Sequence, residues 1–375
     1  MMMNVQILDL KKQYEALKPQ IQTAIQRVLD QGIYVLGPEV QKLEKDLAQY
    51  VGSPHALGTS SGTDALLLAL LTIGIEPNDE VITTPLSFVA TSEVISFLKA
   101  KPVFVDVDPQ TFCIDPTQIE AAITSKTKAI IPVHIFGQCA DMDPILDIAK
   151  KHKLFVIEDA CQAIGAEYKG RKAGSMGDFG ALSFYPSKNL GTYGDGGMLF
   201  VKDEKNFISA REYRTHGEYP KTYNHKKIGM NARLAALPAA VLNVKFPYID
   251  QWNEQRREKA QTYYRLFEEA GLLNKITLPK VASYNKPVFH LYVILTQHKN
   301  NLIEHLKSNG IQTGNHFPTP LPYLECYKEA GYIKGNLPNA EKICSQTVSL
   351  PMYPELTLEE QQYVVSKIRH YYSNL

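Results

Sequence analysis

The chain has 375 residues, of which 44% are hydrophobic and 21% charged, with a formal net charge of +1. That balance allows a large buried core and excludes an intrinsically disordered chain. Lysine and arginine form no run, so neither nucleic acid nor an anionic membrane is expected as the main partner. The opening MMMNVQILDLKKQ lacks the basic-then-apolar order of a secretory leader. The longest apolar run, Ala65 to Ile75, is about half a membrane span. Five cysteines (Cys113, Cys139, Cys161, Cys326, Cys344) form no CxxC pair and no metal-site spacing, as expected of thiols in a reducing cytoplasm.

In chain order, GPEVQKLEKDLAQYVG predicts a helix, with Pro38 in its first turn and Val40, Leu43 and Leu47 on one stripe. From about Ala56 to Val201, short apolar runs alternate with helical stretches. VITTP, PVFVDVD, AIIPVHIFG, LFVIEDAC, GALSFYP and GGMLFV are the candidate strands. SGTDALLLALLTIG, SFVATSEVISFLKA and DMDPILDIAKKHK are the candidate helices between them. The strands are apolar throughout rather than alternating, so both sheet faces are expected to be covered. The fold class is therefore α/β, with a mostly parallel, helix-flanked sheet. A long helical region from about Ala235 to Ala270 carries the single tryptophan, Trp252. KPVFHLYVILT, a helix from Leu302 to Asn309 and a last helix from Thr357 to about Tyr371 predict a smaller α/β unit. The break falls near Val244 to Asp250, giving units 1–245 and 246–375, with the first residues (about 35) free to pack on the smaller unit.

In open sheets of this kind ligands bind at the carboxyl ends of the strands, and four pieces converge there. SSGTDALLLAL opens an apolar helix with small polar residues; Ser61 or Thr63 caps it, or its free N–H groups hold a phosphate. LFVIEDACQAIGA places Asp159 where a buried strand stops, either as a cap or as partner to a protonated ring nitrogen. Gln162 follows three residues later and would reach a phenolic oxygen from the same side. SFYPSKNLGTYGDGG places Lys188 before a loop with Gly191, Gly194, Gly196 and Gly197. It is either a solvated loop lysine or a desolvated amine of the kind that bonds carbonyls. Ser183 would add a hydroxyl for the phosphate. Phe88, in TPLSFVATSE, is either core or one face of a sandwich around a flat ring. Together these features specify pyridoxal 5′-phosphate (PLP).

At this point the sequence resembles the DegT/DnrJ/StrS family of PLP-dependent sugar aminotransferases, of fold type I, over nearly its whole length. GTSSGTDALLLAL, NDEVITTPLSFVAT, PVFVDVDPQTFCIDP, AIIPVHIFGQCADMDPI, the long block from Ile157 to Gly197, and IGMNARL are similar to the family's blocks in the family's order. The resemblance implies that Lys188 forms the internal aldimine and later carries a proton, and that Asp159 faces the pyridine nitrogen. It implies that Gln162 binds the phenolic oxygen, that Phe88 stacks on the ring, and that Gly62, Thr63 and Ser183 hold the phosphate. Asn231, in the GxNxR block, would reach the neighbouring subunit's site, so a homodimer with shared active sites is expected. Ala235 and Pro238 stand where the family has an acid and a glutamine, and Pro322 lies where it often has a histidine.

The activity implied is transfer of an amino group from an amino acid, with L-glutamate first choice, to a nucleotide-linked keto-6-deoxy sugar. KTYNHKKIGMNARL and IDQWNEQRREKAQTYY resemble the branch that aminates carbon 3, which is favoured over carbon 4. The nucleotide is expected to be dTDP, then UDP. Tyr223, His225 and His316 are candidates for substrate contact, or else surface or core residues. A sugar dehydratase would replace Lys188 with histidine, and a PLP-binding regulator would carry an added basic segment. An NAD-dependent oxidoreductase would need a helix after GTYGDGG, where GGMLFV predicts a strand.

Overall fold

The structure, a computed structural model, describes residues 3–218, 220–221 and 223–375. Its strands are β1 (His55–Thr59), β2 (Glu80–Thr83), β3 (Lys101–Phe104), β4 (Thr127–Ile131), β5 (Phe155–Asp159), β6 (Glu167–Tyr168), β7 (Arg171–Lys172), β8 (Phe179–Ser183), β9 (Gly197–Val201), β10 (Asn285–Lys286), β11 (Tyr292–Leu295) and β12 (Thr347–Leu350). Its helices are α1 (Leu10–Gln31), α2 (Pro38–Val51), α3 (Gly62–Thr72), α4 (Ala90–Phe97), α5 (Pro116–Ile119), α6 (Met142–His152), α7 (Glu204–Arg214), α8 (Ala236–Lys245), α9 (Ile249–Glu269), α10 (Lys299–Ser308), α11 (Pro338–Gln346) and α12 (Leu358–Ser373).

Seven strands form one sheet in the order β1-β9-β8-β5-β4-β2-β3. β3, β2, β4, β5 and β8 pair in parallel, whereas β9 is antiparallel to both β8 and β1. Successive residues of each strand enter opposite cores. Leu57, Val81, Ile157, Ala181 and Leu199 pack with α3 in one cluster. Ala56, Ile82, Val156, Leu182 and Met198 pack with α2, α6 and α8 in the other. Side chains alternate along a strand, so a sheet covered on both faces needs an apolar residue at nearly every position. That is the physical origin of the unbroken apolar runs in the sequence.

The parallel direction brings the carboxyl ends of β1, β2, β5 and β8 to one edge. β9 begins at that edge because it returns from the glycine-rich loop. The long helical region is interrupted by Phe246–Tyr248, a single 3₁₀ turn between α8 and α9. α9 then joins two cores: Ile249 and Trp252 belong with the seven-stranded sheet. Ala260, Tyr263 and Phe267 pack instead with β11, β12, α10 and α12. The first 35 residues divide in the same way. Val5 pairs with Ile311, while Ala24 and Val28 of α1 pack on Ala236 and Ala240 of α8.

A buried ionic network fixes the strand that carries Asp159. The Glu158 carboxylate, fully buried, accepts from the N–H groups of Gly174 (2.8 Å), Met176 (2.6 Å) and Gly177 (2.7 Å), and meets His134 Nε2 at 2.8 Å. The Ala140 N–H donates to His134 Nδ1, so the proton of a neutral ring lies on Nε2 and points to Glu158. Glu158→Ala would strand three N–H groups and an imidazole N–H together. We expect a loss of about 3–5 kcal/mol in folding stability, read as a fall in the urea midpoint with the slope unchanged.

Candidate active site

The converging strand ends line a cavity of about 510 Å³, a size suited to a small cofactor with substrate. Lining it are Gly62, Thr63, Phe88, Asp159, Gln162, Ser183, Lys188 and His316. A larger open groove of about 750 Å³ near the C-terminus, lined by Lys275, Lys342 and Tyr372 among others, gathers none of these.

One end of the cavity is the start of α3. Ser61 is the cap, its Oγ accepting from the Asp64 N–H at 3.0 Å. Among the described residues, the N–H groups of Gly62 and Thr63 have no partner within the chain and are left for an anion. Gly62 is needed for closeness: a Cβ there would stand 2.7 Å from Cys161 Sγ and 2.9 Å from Ser183 Cβ. Ser183 Oγ accepts from the Tyr185 N–H at 3.3 Å, which leaves its own hydrogen free to turn into the cavity.

Asp159, 5% exposed at the last position of β5, lines the same cavity. Its Oδ2 accepts from Thr91 Oγ1 at 2.7 Å, and its Oδ1 from the Cys161 N–H at 3.2 Å. Gln162 Oε1 accepts from the Phe136 N–H at 2.8 Å. A backbone N–H can only donate, so the Gln162 amide is fixed with its NH₂ group free, suited to an oxyanion. Phe88 is 58% exposed at the mouth. A ring that large left outside the core of a strand-end loop is what a stacking platform requires.

Lys188, half-buried, lines the cavity too, and among the described residues its Nζ has no hydrogen-bond partner. Burial holds its ammonium below the usual lysine range, opposed by the Cys161 thiol and the Asp159 carboxylate. Lys188 thus lines the cavity and is withdrawn from full solvation. His316 also lines the cavity, its Nδ1 2.9 Å from Ser349 Oγ, and burial followed by the Lys188 charge lowers its pKa.

Three expected residues lie elsewhere. Tyr223 is 89% exposed, and His225 sits on an exposed arm against Glu218 and the His216 carbonyl. Neither lines this chain's cavity; both belong to an arm closed by the Thr215–Asn231 and Glu218–His225 bridges. Asn231 is likewise exposed at the base of the arm, its Oδ1 accepting from Arg233 Nε at 2.9 Å. The unusual Ala235 and Pro238 begin α8. Ala235 is its N-cap, and Pro238 stands in the first turn, where a missing N–H costs little. Pro322 is buried in a short 3₁₀ turn whose Leu321 N–H donates to the Pro85 carbonyl. Thr91, Ser87 and His290 also line the cavity but were not anticipated. The strand KPVFHLYVILT carried a histidine that its apolar surroundings marked as a buried titratable group.

A helix start with free N–H groups, a buried carboxylate, an exposed aromatic ring and a lysine held below its ordinary pKa meet at one edge of this sheet, the arrangement expected of a PLP-dependent enzyme of fold type I. The DegT/DnrJ/EryC1/StrS aminotransferase family profile matches residues 15–369, and the chain belongs to that family. It is 49% identical to the pleiotropic regulatory protein of Geobacillus stearothermophilus, with 99% of each chain covered. It is 40% identical to the UDP-2-acetamido-2-deoxy-3-oxo-D-glucuronate aminotransferase of Pseudomonas aeruginosa, covering 94% of this chain and 96% of that one. The solved structure of Streptomyces venezuelae DesV in complex with a ketimine intermediate superposes with a TM-score of 0.95, at 40% identity, with 98% of each chain covered.

Gly62→Ala should weaken PLP retention at least tenfold, about 1.4 kcal/mol, with the fold intact. Dialysis against cofactor-free buffer, followed by the cofactor's absorbance, measures it.

Proposed function

We propose that this protein transfers the amino group of L-glutamate to carbon 3 of a nucleotide-linked keto-6-deoxy sugar. The observation that carries the reading is the desolvated Lys188 amine in a cavity that also gathers the open start of α3 and Asp159. When bound, PLP supplies an aldehyde that takes up the amino group and a ring that accommodates negative charge. Gly62, Thr63 and Ser183 hold its phosphate, Phe88 covers its ring, and Gln162 donates to its phenolic oxygen. Asp159, oriented by Thr91, keeps a proton on the ring nitrogen through its adjacent negative charge. Lys188, once free, moves a proton between the donor's α-carbon and the carbon that receives it. Burial lowers the pKa of Lys188, the direction that favours the neutral amine a base needs.

The choice of carbon 3 rests on the substrate-region segments and on the 3-oxo sugar in the Pseudomonas relative's name. The nucleotide in this reading is dTDP or UDP. The protein acts as a homodimer with shared sites. Leu29, in the last turns of α1, and Ile33, Tyr34 and Val35, just after it, are exposed apolar residues, and Asn231 lies outside its own cavity on an exposed arm. Tyr223, His225 and His316 contact substrate, the first two across the dimer. The chain divides into a cofactor unit, 1–245, and a smaller unit, 246–375, in the cytoplasm, where five free cysteines are compatible with the redox poise. Among the described residues, no helix is long and apolar enough to cross a membrane. A second reading, a PLP-binding regulator, is favoured by the name of the Geobacillus relative.

Purified protein is to be given glutamate with dTDP- and UDP-linked 3-keto and 4-keto sugars, and the amine position read by NMR. Amination at carbon 3 is expected. Turnover of none of them by cofactor-loaded protein would leave the regulator reading. Lys188→Ala should retain PLP without covalent attachment and lose turnover by about 10³-fold or more. Borohydride treatment of the parent protein should fix the cofactor on the peptide containing Lys188. Lys188→Ala and Asn231→Ala, each inactive alone, should regain activity when mixed and allowed to exchange subunits.

A further inference from the structure

Five polar side chains lining the cavity are more than nine-tenths buried: Ser87, Thr91, Asp159, Gln162 and His290. Four have their oxygens engaged within the chain, Ser87 with Thr91, Thr91 with Asp159, Asp159 with Thr91 and Cys161, and Gln162 with Phe136. His290, 8% exposed, differs, because one ring nitrogen is tied down and the other has no partner among the described residues.

Which nitrogen carries the proton follows from a chain of amides. Asn189 Nδ2 donates to the Val288 carbonyl at 3.1 Å, and a carbonyl can only accept. The same NH₂ donates to Asn253 Oδ1 at 2.9 Å, and Asn253 Nδ2 in turn donates to the Ile164 carbonyl at 3.0 Å. Asn189 Oδ1 is therefore an acceptor, and the His290 Nδ1 that meets it at 3.2 Å carries the hydrogen. Nε2 is left as a bare lone pair. Burial, then the charges of Lys188, Arg256 and His316, push this imidazole well below histidine's ordinary pKa, so the ring stays neutral. His316 is less buried, and its partner is a hydroxyl that gives or takes a proton, so no tautomer is fixed there.

Lys188 immediately precedes Asn189, the residue that orients the ring, and its Nζ has no partner of its own among the described residues. We infer that His290 is a positioning residue for Lys188: its Nε2 accepts one N–H of the freed amine and turns the amine's lone pair toward the reacting carbon. A neutral amine has two hydrogens and one lone pair, so fixing one hydrogen limits where the lone pair aims. An exposed water would do this without constraint; a ring locked by the Asn189–Asn253 pair does it in one direction. No proton leaves His290 in this role. Lys188 remains the group that gains and loses it.

This inference rests on the transamination reading and is tested so that the two fail separately. In the cofactor-loaded enzyme, the donor half-reaction and the sugar half-reaction are each followed as a single turnover by the cofactor's absorbance. His290→Phe should slow both by the same factor, about tenfold or more, because Lys188 serves both. His290→Gln, which retains an acceptor, should recover most of that loss. A loss confined to one half, no loss, or a glutamine no better than phenylalanine would each overturn the role. Should His290→Phe not fold, ¹⁵N spectra of histidine-labelled wild-type holoenzyme decide instead. The expected result is one histidine protonated at Nδ1 with a bare Nε2 whose resonance moves when glutamate frees Lys188. An Nε2-protonated or unmoved ring refutes it. Glutamate that leaves the wild-type cofactor absorbance unchanged refutes transamination itself, a result distinct from all of these.

Discussion

An amine that must work as a base near neutral pH cannot stay in water, where its proton is held too tightly. Under the proposed function, the surroundings of Lys188 fit that requirement. The amine lies in a cavity where desolvation disfavours its charge, yet one carboxylate, Asp159, stands close enough to oppose the shift. Placing a lone carboxylate and a lone lysine in one dry site is expensive unless other groups hold each of them. Thr91 and the Cys161 N–H do so for Asp159. The glycine-rich loop after β8, closed by the Phe184 N–H to the Gly196 carbonyl, fixes the backbone of Lys188.

Strand direction is what makes the convergence possible. β1, β2, β5 and β8 all finish at one edge, so the α3 start, the Phe88 loop, Asp159 and Lys188 arrive from separate parts of the chain at the same cavity. The reversed β9 lets the loop after Lys188 turn back at that edge without a crossover helix. Beneath it, Glu158 pins three N–H groups of the segment 174–177 and the His134 ring, so the strand end that carries Asp159 has little freedom. α9 and β11 then carry the smaller core against the cavity and deliver His290 and Leu291 to its wall.

Much of this was legible in the residues. The six apolar runs became β2, β3, β4, β5, β8 and β9, because strands buried on both faces leave a composition signal. Asp159 and Lys188 were legible for the opposite reason: a charged residue ending an apolar run is unusual enough to demand an account. α1, α7 and α11 were not read, since their apolar positions are sparse among many polar ones. Nor were the roles of Thr91 and His290. A hydroxyl or imidazole among apolar neighbours looks the same in sequence whether it bonds across the fold or faces a cavity. Tyr223 and His225 illustrate the converse, since residue type alone put them near substrate while the backbone carries them onto an exposed arm.

The sequence by itself determined the sheet, its covered faces, the strand-end carboxylate and lysine, and the family to which they belong, because these depend on local composition and on order along the chain. Tertiary structure alone decided that Phe88 stands outside the core, that Gln162 offers its NH₂ group, and that His290 presents a bare nitrogen. Each of those depends on a partner distant in sequence, respectively the cavity wall, Phe136 and the Asn189–Asn253 pair, and hydrogen-bond direction exists only once both partners are in place.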